Sequence, residues 1–188
     1  MISRWIVNQL VLGQIIEEKE RKLYEYSFKS LLGNFINIVA AIIIGIVCGE
    51  IVRALVFLMV MVPLRSSIGG CHIKNSVICF IVSCGVVVVG VLLPNIVKLY
   101  YAKIYIIVLF FCMIIISIIS PVDCIEKPLE VDEKKTLAKR VKFINVCIGI
   151  FILGAYYFKH YDFCMEITFI VSYALITLVV EIYRKNKE

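Results

Sequence analysis

The chain has 188 residues, 62% of them hydrophobic and only 18% charged, with a mean hydropathy of +0.98. A soluble domain averages nearer 45–50% apolar and about a quarter charged, and a globule of this size must cover its surface with polar groups, so the excess excludes a water-soluble core and points to a bilayer as solvent. The net charge of +6 is no nucleic-acid signal, because the basic residues collect in short stretches between apolar runs, where they set topology and touch anionic headgroups.

Residues 1–30 open the chain with an amphipathic region. Ile2, Trp5, Ile6, Gln9, Leu10 and Gly13 follow a helical rhythm over 2–16, which predicts a helix lying on the membrane with Trp5 at headgroup level. With one Arg, no continuous apolar stretch and no small-residue cleavage site, this start is not read as a cleavable signal peptide. After the charged "EEKERK" an apolar run extends from Leu31 to Gly49, about the length that spans a hydrocarbon core. A tight "GE" turn leads to Ile51–Leu64, which carries Arg53 near its start and is read as ending at Pro63. It is short enough to be either a span with a snorkelling Arg or a re-entrant segment.

A polar interval follows, then Val77–Val97, "KLYYAK", Ile104–Ile119, a charged loop over 121–142, and two further apolar runs, Phe143–Phe158 and Phe163–Val180, around the turn "KHYD". The pattern predicts an all-α polytopic membrane bundle of about six hydrophobic segments, at least four of them spanning, in one domain over 1–188. Lys127, Lys134, Lys135, Lys139, Arg140 and Lys142 in the loop, with Arg184, Lys185 and Lys187 in the tail, place both in the cytoplasm by the positive-inside rule. Counting back from the loop puts 98–103 outside and the polar interval at the cytoplasmic face. Glu166 is the one acidic residue well inside an apolar run; within about one turn of the Phe163 end, it is expected to reach water rather than to form an intramembrane site.

Of the eight cysteines, Cys48, Cys84, Cys112, Cys147 and Cys164 lie inside apolar runs, where a thiol behaves as a small hydrophobe and is expected to be a packing residue. The polar interval differs. "RSSIGGCHIKNSVIC", residues 65–79, holds one of the two histidines, flanked by Cys71 and Cys79. An imidazole that takes a thiol proton makes a nucleophile for acyl transfer. On one unbroken helix His72 and Cys79 would share a face but lie about 10.5 Å apart along the axis. Gly69 and Gly70 argue against that helix, and Asn75 or Ser76 is a good N-cap before "VICFIV". A helix starting there puts Cys79 in its first turn or just beyond, where the helix terminus and a nearby imidazolium both favour thiolate. Three readings stand on the residues alone: a His72/Cys79 active pair, an interfacial turn with an incidental cysteine, and a Cys71/His72/Cys79 metal site. Zinc usually wants four ligands with tighter spacing, so no metal or other cofactor is expected.

The arrangement Arg65-x4-Gly70-x-His72-x6-Cys79, with the proline-flanked "PVDCIEKPL" at 121–129 and the order of segments, resembles the accessory gene regulator B (AgrB) family over nearly the whole chain. The resemblance implies a membrane cysteine endopeptidase of the cell membrane that processes an AgrD-like propeptide into a quorum-sensing signal, with Cys79 as nucleophile and His72 as general base. It implies supporting roles for Arg65, through its guanidinium fork, and for Gly70, through backbone freedom that brings His72 back. It also implies a homo-oligomer, expected to be a dimer, with the active site near the cytoplasmic face. Asp123 and Asn75 are candidates to orient His72 or donate to an oxyanion. The alternative is a small multi-pass transporter or export partner without enzymatic activity, whose polar interval is a gate or docking turn.

Overall fold

The computed structural model describes residues 2–13, 16–68, 76–97, 102–122, 131–185 and Lys187. These form seven α-helices: α1 Ile2–Leu12, α2 Arg21–Val47, α3 Ile51–Ile68, α4 Ser76–Ile96, α5 Ala102–Ile119, α6 Val131–Tyr157 and α7 Tyr161–Lys185. No strand occurs among the described residues, as a bilayer demands of segments that must satisfy their own backbone groups. Four helices are long and apolar enough to cross a membrane: Ser27–Val47, Ile51–Ile68, Val77–Ile96 and Tyr161–Arg184. The apolar stretch Lys103–Ile119 is shorter. The protein is an all-α, multi-pass membrane protein.

The amphipathic start is helical and packs on α2. Val7 is buried beneath it, Trp5 and Leu12 face out, and the Arg21 guanidinium donates to Asn8 Oδ1 and, at 2.8 Å, to Glu18 Oε1. Two tight turns reverse the chain by the same device. After α2, Glu50 N–H donates to Gly45 O at 2.8 Å and Gly49 N–H to Ile46 O at 3.1 Å, with Gly49 at φ 72°. After α6, His160 N–H donates to Ala155 O at 2.8 Å and Lys159 N–H to Tyr156 O at 3.1 Å, with Lys159 at φ 62°. Both pair the orphan carbonyls of a helix end through a left-handed residue.

Two expectations are corrected here. Pro63 does not end its segment: α3 continues through it to Ile68. A proline costs an interior helix one backbone bond, here the one to the Met59 carbonyl, a loss that membrane helices tolerate; beyond it the last turn of α3 carries a side-chain bond from Ser66 Oγ to Pro63 O at 3.0 Å. The charged segment 121–142 is not loop throughout, because α6 begins at Val131. Its Lys, Glu and Arg residues are good helix formers, Asp132 and Glu133 complement the N-terminal dipole, and Thr136 Oγ1 donates to Asp132 O at 2.9 Å.

The bundle is built around α7, which packs on α3, α4, α5 and α6 and buries Cys164 through Thr168, Ile170, Val171, Ala174 and Leu178. Arg53 near the start of α3 bonds Asn95 near the end of α4, so α3 and α4 run antiparallel. At the other end of the bundle Val122 N–H, just past α5, donates to Ile68 O at 3.0 Å. That end therefore gathers the end of α3, the starts of α4 and α6, and the C-terminal half of α7.

Candidate functional site

The helix that carries Cys79 begins at Ser76, which agrees with the start expected from the N-cap residues and places Cys79 in its first turn. Cys79 is half-buried. Arg65 lies in the last turn of α3 and donates from Nη1 to Thr177 Oγ1 at 2.6 Å. The Thr177 hydroxyl donates in turn to Ala174 O at 2.8 Å. Tyr173, one turn before Thr177 on α7, is within electrostatic range of both Arg65 and Cys79. This end thus holds an Arg65–Thr177 hydrogen bond, with Tyr173 coupled electrostatically both to Arg65 and to Cys79.

His72 and Gly70, with Cys71, Asn75, Asp123 and Cys124, lie outside the described residues. Of the sequence-predicted site residues, the structure brings Arg65 and Cys79 to one neighbourhood. Tyr173 and Thr177 were not anticipated. Their signal was present, since a Tyr and a Thr four residues apart share one face of a largely apolar helix.

Beside Arg65 a groove of about 460 Å³ opens between α3 and α6, lined by Pro63, Ser66 and Ser67 on one side and Lys139, Arg140 and Phe143 on the other. An apolar floor under two cations suits an amphipathic chain with acidic groups. No cluster able to hold a metal occurs among the described residues.

The other cysteines divide. Cys112 and Cys164 are buried and Cys48 and Cys84 are half-buried, but Cys147 is exposed on the outside of α6. It is therefore not a packing residue of the bundle, and an apolar thiol facing outward suits lipid contact. Glu166 corrects a second reading: it is fully buried rather than open to water. Its helix begins two residues earlier than the apolar run and carries it under α3.

The accessory gene regulator B family model matches residues 2–179. The chain is 26% identical over 156 residues to AgrB-like protein 2 of Clostridium perfringens strain 13, covering 78% of this chain and 72% of that protein. It is 24% identical over 160 residues to an AgrB-like protein of Clostridium perfringens strain SM101, covering 79% and 74%. No solved structure matches the chain. With nearly its whole length matched, this chain belongs to the accessory gene regulator B family, a family associated with quorum sensing.

Proposed function

We propose that the protein is a membrane cysteine endopeptidase that cleaves an AgrD-like propeptide and closes the product into a thiolactone or lactone signal. The observation that carries this reading is the placement of Cys79 in the first turn of α4, directly after the interval that holds His72 and in the electrostatic field of Tyr173, which also feels Arg65. His72 takes the Cys79 proton, and the thiolate attacks the scissile carbonyl. A C–S bond forms, the C–N bond breaks, and His72 returns its proton to the leaving amine. The C-terminal tail departs, leaving the N-terminal part as a thioester on Cys79. A Cys or Ser of the same precursor then attacks that thioester, its proton passes to His72, and Cys79 is released as the ring closes. Exchange of one thioester for another is close to isoenergetic, so water must be kept away for the ring to win over hydrolysis. A site between packed helices at the edge of the bilayer serves that need.

Arg65, held by Thr177, is suited to a carboxylate or main-chain carbonyl of the precursor, and Gly70 to the chain reversal that returns His72. The groove under Lys139 and Arg140 would take the acidic C-terminal part by charge complementarity. We place this end in the cytoplasm, because the basic start of α6 and the basic tail share it, and we expect a dimer.

The test is co-expression with an AgrD-like precursor followed by mass analysis of the peptide containing Cys79. The expected result is a hydroxylamine-labile acyl adduct, which accumulates when the ring-closing Cys or Ser of the precursor is replaced by Ala. Cleavage that proceeds in a Cys79→Ala protein would refute the assignment.

A further inference from the structure

Glu166 occupies the second turn of α7. It is fully buried, and neither carboxyl oxygen has a hydrogen-bond partner among the described residues. The groups around it are already committed to one another. Arg53 Nη2 lies 3.6 Å from Asp162 Oδ2, one turn before Glu166. Arg53 Nη1 donates to Asn95 Oδ1 at 2.7 Å and to Glu50 Oε1 at 3.3 Å, and Asn95 Nδ2 donates to Glu50 Oε1 at 2.9 Å. Glu166 interacts electrostatically with Arg53, Asp162 and Glu50. Among the described residues, the cluster therefore sets Glu50, Asp162 and Glu166 against the single cation Arg53.

An ionised carboxylate without a partner in such a place costs several kcal/mol. Arg53 does not remove that cost, because its guanidinium bonds Asn95 and Glu50 and pairs with Asp162. Among the described residues, the other basic groups at this end, Lys103 at the start of α5 and Lys159 and His160 between α6 and α7, are exposed; α4 adds Asn95 and α2 ends at Val47 without an ionic group. Asp162 and Glu50 keep about a quarter of their side chains exposed (25% and 28%), so the cluster links the buried carboxyl to water at the end of the bundle. Glu166 precedes Tyr173 by seven residues, about 10 Å along the helix, and so stands apart from the Cys79 neighbourhood.

We propose that Glu166 is a proton-binding site of the bundle, loaded from the face opposite Cys79 through the Glu50–Arg53–Asn95–Asp162 cluster. The ligand is a proton, and the carboxyl is carried as the neutral acid until a base or a change at the cluster removes it.

The test labels the full chain in lipid nanodiscs with dicyclohexylcarbodiimide, an apolar reagent for protonated carboxyls. The acid O–H adds across one C=N bond, its oxygen joining the carbodiimide carbon and its proton the nitrogen; the O-acylisourea then rearranges to a stable N-acylurea, so the peptide gains the whole reagent. Mass analysis is expected to find the adduct on the wild-type peptide containing Glu166. Its rate should fall about tenfold per pH unit once the acid ionises and should be the same in sodium and choline chloride. Absence of the adduct at acid pH, or labelling that does not depend on pH, overturns the proposal. Protection by sodium overturns it in favour of a cation site. Glu166→Gln, the neutral isostere, should fold and lose the adduct; if it fails to fold, the wild-type labelling still decides.

Discussion

The contact between Arg65 and Thr177 joins residues 112 positions apart and makes a sharp test of how this end of the bundle works. Thr177→Val keeps the shape of the side chain and removes the acceptor. Hydrogen bonds to a charged group contribute about 1.5–3 kcal/mol, and the half-buried setting of Arg65 favours the lower part of that range. If the bond's work is to aim the guanidinium at substrate, Thr177→Val should lower kcat/KM for precursor cleavage by about tenfold, which corresponds to ~1.4 kcal/mol. Arg65→Lys, which keeps charge but loses the fork, should cost at least as much. The double variant should be little worse than Arg65→Lys alone, because Thr177 acts through Arg65. The assay is cleavage of a labelled precursor by purified protein in nanodiscs, with the amount of folded protein held equal. Additive losses, or full activity in Arg65→Lys, would refute the positioning role.

Cys79→Ala should abolish precursor cleavage while the protein remains in the membrane, whereas Ala at Cys48, Cys84 or Cys147 should leave most activity intact in the same assay. At Gly90 a Cβ would lie 2.9 and 3.0 Å from Phe57 ring carbons and 3.3 Å from Phe169, so Gly90→Ala should destabilise by about 1–3 kcal/mol of overpacking. Gly85→Ala on the same helix meets nothing within 4 Å and should be neutral or better in a thermal melt in detergent. Lys159→Gly relieves a left-handed backbone that costs a side-chain-bearing residue about 1–2 kcal/mol and should raise the melting temperature. Reporters fused after Lys135 and at Glu188 should both report the cytoplasm and one fused at His160 the exterior; a cytoplasmic His160 would overturn the assigned orientation.

Hydropathy alone located the helices of this chain because a bilayer leaves an apolar segment no other way to satisfy its backbone. The run Ile104–Ile119 corresponds to Ala102–Ile119, and Val77–Val97 to Ser76–Ile96. The sequence also offered a start for α4 at Asn75 or Ser76, and the helix bounds Ser76–Ile96 agree with it and put Cys79 in the first turn. Local signals failed where tertiary surroundings override them. Pro63 reads as a stop, yet α3 continues to Ile68, and a charged stretch reads as loop, yet α6 starts at Val131. Pairings between distant segments were not legible either: Arg65 with Thr177 and Arg53 with Asp162 depend on how α7 threads between its neighbours. The clearest case is Glu166. Its position near the end of an apolar run suggested access to water, but burial is decided by which face of α7 meets α3 and by Arg53 being engaged elsewhere, and those are properties of the packed bundle.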